Sequence, residues 1–166
     1  MSQDIDKSTD WEETTLGMLG HLHCGQSPSS SSVNTEGRGV PYVSGPEHWD
    51  GVEVHRTKWT TAPSRNAPEN SIFITVKGAG VGTIFPGVNA AIGRDIYAFE
   101  PHPEIHTRFV FHAIQYSVQD VIAKAHGDIP GLRKDHILDH PISVPGPKTQ
   151  AALSSKIDEL DRKSVV

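Results

Sequence analysis

The sequence has a single cysteine, Cys24, so the chain cannot form a disulfide within itself, as suits a reducing cytoplasm. It also lacks any apolar run near the ~20 residues that a membrane-spanning helix needs. The first residues, MSQDIDKSTDWEE, are acidic and polar and do not resemble a signal peptide. These absences predict a cytoplasmic protein with no membrane partner.

Positive charge is scarce. Lysine and arginine total 15 against 20 acidic residues, which gives a formal net charge of −5, whereas a DNA-binding domain usually carries a basic stripe. The excess lies in residues 1–37, which hold six acids and one base, while residues 38–110 and 111–166 are each neutral. The composition therefore permits DNA binding without supporting it.

Signatures of nucleotide binding and of nucleophilic catalysis are missing. The glycine turn at residues 78–82 follows a predicted strand, as a phosphate-binding loop would. It lacks the Lys-Ser/Thr of a Walker A motif and leads into another strand instead of a helix. The turn is interpreted as a hairpin whose glycines adopt positive φ, with phosphate binding as the minor alternative. No Gly-x-Ser-x-Gly elbow occurs.

Ten histidines invite a metal hypothesis, particularly the i,i+4 pairs His102/His106 and His136/His140. Pro103 interrupts the first pair, Pro141 follows the second, and neither has the glutamate of a metalloprotease helix. The histidines are interpreted as scattered and solvent-facing. The sequence therefore predicts no metal ligand, no catalytic residue and no cofactor bound by this chain.

Hydrophobic periodicity predicts an α+β fold. Residues 71–76, SIFITV, form the clearest strand, and their continuous apolar character indicates burial on both faces. Residues 105–125 carry apolar stripes at helical spacing. Because strands come first and helices later, with no regular βαβ alternation, α+β is the better class.

A second helix is predicted over residues 148–163. Leu153, Ile157 and Leu160 are spaced 4 and 3 and form the apolar seam of a coiled-coil-type helix. Asp158 and Glu159 each precede a basic residue, Arg162 or Lys163, by four positions, as expected of exposed ion pairs. A helix of about 17 residues, or about 26 Å, is too short to be stable alone. It is expected to meet a partner helix and to hold the preceding domain on an arm.

The segment 54–66 is the most nucleic-acid-like part of the chain. Arginine, lysine and asparagine side chains can donate hydrogen bonds to base edges and phosphates, and tryptophan can pack on a sugar or base. An ordinary polar surface loop is the alternative. On side-chain chemistry alone, the candidate DNA-binding residues are Arg56, Lys58, Trp59, Arg65, Asn66, Lys77 and Arg94.

A set of short motifs, in this order and spacing, resembles one repeat of the DNA-specificity subunit of type I restriction–modification systems. They cover residues 11–163 and comprise Trp11, Leu16-Gly17, GQSP at 25–28, GVPYV at 39–43, IFITVKGAGVG at 72–82, AAIGRD at 90–95, IPGL at 129–132, ISVP at 142–145, Gln150 and KIDELD at 156–161.

The resemblance implies a target-recognition domain that reads one half of a split double-stranded DNA sequence, followed by a helix that packs antiparallel to that of a second repeat. It implies that the chain is not an enzyme. S-adenosylmethionine-dependent methyl transfer would belong to a modification subunit, and ATP- and Mg-dependent cleavage to a restriction subunit.

Such subunits normally carry two recognition domains and two longer helices, so the chain is expected to be a half-subunit, a truncated product or a fragment. The predicted organisation is a disordered lead-in at residues 1–10, a recognition domain at 11–146 and a truncated dimerisation or spacer helix at 147–166.

A homodimer through the seam is expected to read a split palindrome. The alternative function is an interaction module that binds the modification subunit or a full-length specificity subunit without reading DNA. A small metal or metabolite enzyme is the third hypothesis.

Overall fold

A computed structural model describes residues 11–124 and 131–164. The predicted lead-in at 1–10 lies outside the described residues. Gly127 and the Ile-Pro-Gly segment at 129–131 predict an end to the helix of residues 105–125, and of these positions only Gly131 is described. In the described part the strands are β1 (Glu12–Thr15), β2 (Gly20–Cys24), β3 (Val33–Asn34), β4 (Val40–Val43), β5 (Trp59–Thr60), β6 (Asn66–Ala67), β7 (Ile72–Thr75), β8 (Ile84–Pro86), β9 (Ala90–Ile92), β10 (Ile96–Pro101) and β11 (Pro141–Val144). The α-helices are α1 (Leu16–Leu19), α2 (Thr107–Lys124), α3 (Lys134–Leu138) and α4 (Pro147–Ser164). The predicted α+β class is confirmed.

A four-stranded antiparallel sheet in the order β2-β10-β7-β8 forms the middle layer. Strand β7 is buried along its whole length, as its apolar run predicts. Since side chains alternate across a strand, Ile72 and Ile74 join a core shared with the helices, and Phe73 joins a second core on the opposite face. The sheet is therefore covered on both sides.

A five-stranded sheet covers the second face, in the order β3-β5-β4-β9-β6. Its strands are short, and three of the five, β3, β5 and β6, come from the segments 25–39 and 46–70, whose polar composition predicts a loop and irregular structure. Strands β4 and β9 are parallel, with Tyr42 opposite Ala91, and the other neighbours are antiparallel. The apolar density of these segments is too low for periodicity to reveal strands that only long-range pairing stabilises.

The helices lie on the first face. Helix α2 buries Phe109, Val110 and Ile114 against the four-stranded sheet. Strands β1 and β11 form a small antiparallel sheet that ties the start of the described chain to the segment before α4. None of the helices in the described residues is long and apolar enough to cross a membrane.

Helix α4 begins at Pro147, as expected of a proline in the first turn. It packs on α2 of the same chain, and Leu153 joins the helical core. Helix α2 of the same chain therefore covers the α4 seam at Leu153. Leu160, further along, is 52% exposed.

The glycine turn joins β7 to β8 as a hairpin. Gly78 and Gly82 have φ of +88° and +93°, which glycine adopts without steric cost. Thr75 and Gly82 form a backbone hydrogen bond of 2.9 Å across the turn. The hairpin interpretation is confirmed.

Candidate nucleic-acid interface

Four strands of the five-stranded sheet begin or end along the same side of the sheet, which is called its edge here. Because β4 and β9 are parallel, their carboxyl ends lie at the same edge. Strands β5 and β6 run antiparallel to these neighbours and therefore begin at that edge. The residues that flank these strands are consequently close in space, although they are far apart in sequence.

Four of the candidate residues lie at this edge. Lys58 precedes β5, and Arg94 follows β9. Arg65 precedes β6, whose first residue is Asn66. Backbone hydrogen bonds fix their positions. The Tyr42 N–H donates to the Lys58 carbonyl at 2.9 Å, and the Ile92 N–H donates to the Arg65 carbonyl at 2.9 Å. These four residues, Lys58, Arg65, Asn66 and Arg94, are called the cationic edge below.

The segment 25–28 packs against the same edge. The Gln26 N–H donates to the Ile92 carbonyl at 3.0 Å, and the Arg94 N–H donates to the Ser27 hydroxyl at 3.2 Å. A Cβ atom on Gly25 would collide with the carbonyl oxygen of Gly93, so this approach requires glycine. Exposed Gln26 and Ser27 therefore add hydrogen-bonding groups to the edge. The sequence analysis does not include them among the candidate DNA-binding residues. The GQSP motif was the only sequence signal for them.

The cations of this edge are available for an external anion. Arg94 and Asn66 are exposed, and Lys58 and Arg65 are half-buried. Among the described residues, no salt bridge uses Lys58, Arg65 or Arg94, and the Lys58 ammonium makes only a long contact of 3.4 Å with the Ser44 hydroxyl. Unpaired guanidinium and ammonium groups at one edge suit phosphate or base-edge acceptors.

Acidic groups adjoin the edge. Ser44 donates to the Glu47 carboxylate at 2.9 Å. Partial burial acts to raise the pKa of Glu47, but hydrogen bonds from its own backbone N–H and from Ser44, with the nearby charges of His48 and Lys58, lower it overall. Glu47 therefore stays ionised and repels phosphate locally.

The remaining candidates lie apart from the cationic edge to different degrees. Lys77 is exposed and lines a neighbouring cleft of about 680 Å³ together with Ser44, Glu47 and Asp95. Arg56 is exposed in the segment before β5, and Trp59 is half-buried within β5. Within the part of the chain that the structure describes, no hydrogen bond or ion pair joins any of these three to Arg65 or Arg94.

Two of the three residues predicted as a dimerisation seam line an apolar groove. The groove has a volume of about 460 Å³ and lies between α2, α4 and the β1–β11 sheet. Leu153 and Ile157 line it, and the Tyr116 side chain on α2 is 93% exposed beside it. Its lining comprises Trp11, Phe109, His112, Ala113, Tyr116, Ser117, Pro141, Ile142, Ser143, Leu153 and Ile157.

Two groups of side chains within the described residues have ligand atoms close enough for a metal ion: Asp50, Glu53 and His55, and His112, Asp158 and Asp161. Asp50 already accepts hydrogen bonds from two backbone N–H groups and from His55. Asp158 already accepts hydrogen bonds from Arg108 and His112. Asp50, His55, Asp158 and His112 therefore already have protein partners. The interpretation of the histidines as solvent-facing is wrong for His48, His112 and His140, which are buried.

A comparison with known proteins identifies a family that matches almost the whole chain. The sequence model described as "Type I restriction modification DNA specificity domain" matches residues 8–165. A putative type I restriction enzyme MjaX specificity subunit from Methanocaldococcus jannaschii is 27% identical over 157 residues, which cover 92% of this chain and 37% of that protein. The EcoR124I/EcoR124II specificity subunit of Escherichia coli is 25% identical over 169 residues, which cover 93% of this chain and 42% of that protein.

Solved structures share the fold. The HsdS subunit from Thermoanaerobacter tengcongensis superimposes with a TM-score of 0.79 at 24% identity, over 93% of this chain and 38% of that chain. A chain from a structure of a type I R-M system superimposes with a TM-score of 0.84 at 22% identity, over 93% and 39%. The chain therefore spans about two-fifths of the length of the proteins it matches.

Proposed function

Because the chain belongs to the family of type I restriction–modification DNA specificity domains, we propose that it binds double-stranded DNA sequence-specifically through its cationic edge. The observation that supports this most is the convergence of Lys58, Arg65, Asn66 and Arg94 from three strands, with no salt bridge to these cations among the described residues. A fixed scaffold that presents several donors together is what base readout requires.

Each side chain has a role that follows from its donors. Arg65 and Arg94 carry forked guanidinium groups, which suit guanine O6/N7 or a phosphate. Asn66 can accept from and donate to an adenine edge, and Lys58 is a point charge for phosphate. Arg56, Lys77 and Trp59 would contact flanking DNA. A single domain of this kind would read one half of a split target.

In this proposal the chain has no catalytic residues and directs partners to the DNA. A modification subunit would use S-adenosylmethionine for methyl transfer, and a restriction subunit would use ATP and Mg for cleavage. This chain would bind none of these cofactors. The similarity to type I restriction enzyme specificity subunits supports this role.

The apolar groove would take helix α4 of a second copy. Ile157 lines the groove, Leu160 is exposed about one turn further along α4, and Tyr116 is exposed beside the groove. Two copies related by a twofold axis would present two identical domains. The matched target would then be a split palindrome, with the pair supplying the length that the longer relatives cover in one chain.

Selection from random duplexes tests DNA reading. The full chain, together with its modification subunit, would be incubated at low salt with a random duplex pool, and the bound fraction sequenced. We expect a split motif to be enriched. Absence of any enriched motif would contradict the proposal.

Variants then test the cationic edge. Arg94→Ala or Arg65→Ala should weaken binding by about 1–3 kcal/mol if the residue reads a base, with relaxed specificity at one position. Lys134→Ala is the control, because Lys134 is an exposed cation at the start of α3 and outside the edge. Equal losses in the control and edge variants would place the interface elsewhere.

The exposed apolar groove beside Tyr116 favours a second function, an interaction module that binds the modification subunit or a full-length specificity subunit without reading DNA. Affinity capture of the purified modification subunit, in parallel with the duplex selection, separates the two. Capture without sequence-selective DNA retention supports the interaction module. Selective retention excludes it.

A further inference from the structure

The direction in which α4 leaves the domain has a functional consequence if the proposed function holds. The helix has 18 residues and a length of about 27 Å. If a second recognition domain is reached through this helix, a small change in its angle moves that domain by several ångströms. The helix angle would then set the distance between two DNA half-sites.

The first attachment of α4 is the buried amide of Gln150, which is 2% exposed. Its Oε1 accepts the His106 N–H at 2.8 Å, immediately before α2, and its Nε2 donates to the Pro145 carbonyl at 2.9 Å. The Gln150 side chain therefore fastens the first turn of α4 to the start of α2. Together with Leu153 in the helical core, it holds the first turns of α4, and a contact further along is needed to fix the direction of the later turns.

The second attachment is the Asp158 carboxylate. Its Oδ1 accepts from Arg108 Nη2 at 2.6 Å and from His112 Nε2 at 2.8 Å, both on α2. The His112 side chain is only 6% exposed, and the Arg108 guanidinium also lies 4.7 Å over the Phe111 ring. Both donors are thus held in place by α2 itself.

Asp158 does not make the local pair that its spacing predicts. The sequence pairs it with Arg162 and pairs Glu159 with Lys163. The structure confirms only the second pair, at 3.1 Å. Asp158 instead binds residues 50 and 46 positions away. An exposed helix pair would stabilise α4 alone, whereas this contact fixes α4 relative to α2.

Two attachments define a direction. Gln150 and Asp158 are eight residues apart, or about 12 Å along the helix axis, and residues 160–163 beyond them are exposed. We propose that Asp158 is a positioning residue that fixes the angle of α4 on the domain and, through it, the spacing between half-sites. The angle follows from the geometry alone, and the spacing rests on the proposed function.

The angle is tested without DNA. Spin labels on Asn89→Cys and Arg162→Cys, in a Cys24→Ser background, report the distance between the domain and the exposed part of α4. Asp158→Asn should widen the distance distribution at least twofold. Arg108→Gln should also widen it. Circular dichroism would verify that each variant is folded.

Glu159→Gln is the matched control. It removes the neighbouring carboxylate, whose partner Lys163 lies on α4 itself, and should leave the distribution unchanged. A width in both Asp158→Asn and Arg108→Gln equal to that of the unmutated protein would overturn the proposal, whatever the protein does with DNA.

The spacing is tested in the assembled complex with the modification subunit. Duplexes would carry the same two half-sites separated by spacers that differ by single base pairs. The unmutated protein should prefer one spacer at least tenfold. Asp158→Asn should reduce that preference below threefold and leave affinity for a single half-site unchanged, which a general loss of structure would not do.

The failures are distinguishable. If the unmutated protein selects no sequence, the proposed function fails and the label distances still decide the role of Asp158. If selection succeeds and Asp158→Asn retains the tenfold spacer preference, the spacing role is wrong. If single-site affinity falls with the preference, Asp158 is structural and not a positioning residue.

Discussion

Asp50 and His55 form a coupled pair at the residue scale, in the segment that leads to β5. Asp50 Oδ1 accepts from the Val52 and Glu53 N–H groups at 2.7 and 2.8 Å, and Oδ2 meets His55 Nε2 at 2.5 Å. The Glu53 backbone hydrogen bond, followed by that from His55, lowers the pKa of Asp50 to about 2. The hydrogen bond to Asp50 raises the pKa of His55 above its ordinary value.

The two shifts act over different pH ranges. The Asp50 contribution is present above its ordinary pKa of about 4 and is lost as the pH falls towards about 2. The His55 contribution is present below its ordinary pKa of about 6.5 and is lost as the pH rises through the raised pKa. The pair is therefore strongest between about pH 4 and 6.5, where His55 adds a positive charge beside Arg56.

Asp50→Asn tests this coupling. Removal of the carboxylate should return the pKa of His55 towards about 6.5, measured by NMR titration of the imidazole protons. Glu53→Gln is the control, because Glu53 is a smaller contributor to the His55 shift, and its effect should be smaller. The same His55 pKa in the unmutated and Asp50→Asn proteins would contradict the pair.

At the element scale, the apolar seam of α4 has two parts: one packs within the chain, and the other is exposed. Leu153 packs into the core of its own chain, Ile157 is half-buried at the groove, and Leu160 is 52% exposed. A change at Ile157 would therefore disturb both the docking on α2 and any self-association. Leu160 separates them better, because it is more exposed than Leu153 or Ile157.

Leu160→Asp should abolish self-association while leaving the domain folded, since a charge on an exposed seam position opposes burial in a second copy. Light scattering and sedimentation would measure the mass, and thermal unfolding would measure the fold. Met18→Asp is the matched control, because Met18 is 71% exposed on α1. A monomer in the unmutated protein would contradict the homodimer.

At the scale of the whole molecule, charge distribution decides how DNA would be bound. The net charge of −5 comes from residues 1–37, while Lys58, Arg65 and Arg94 gather at one sheet edge. Binding would therefore depend on local contacts with phosphates and the release of their counterions, and not on overall attraction.

Affinity for duplex DNA should fall steeply as salt rises, with log affinity linear in log salt. Arg94→Ala and Lys58→Ala should each lower the slope by about 1 if the side chain contacts a phosphate. Fluorescence anisotropy over a salt series gives the slope, and Lys134→Ala should leave it unchanged. A slope near zero in the unmutated protein would exclude phosphate contacts as the source of affinity.

The sequence by itself determined the parts of this protein that local physics decides. A β-branched run made β7 a buried strand, a 3.6-residue period made α2, and the proline before an amphipathic segment set the start of α4. Hairpin glycines at 78 and 82 followed from the same reasoning. The ordered motifs from Trp11 to KIDELD identified the family that matches residues 8–165.

Only the tertiary structure decided which distant residues meet. Arg94 approaches Ser27 across 67 positions, and β4 finds β9 as a parallel partner, through short strands with little periodicity of their own. Asp158 accepts hydrogen bonds from Arg108 and His112, and not from the local base Arg162, because the packing of α4 on α2 brings those two donors next to its carboxylate. Spacing along a chain records neighbours within one element, whereas the cationic edge and the helix attachment depend on pairings between elements.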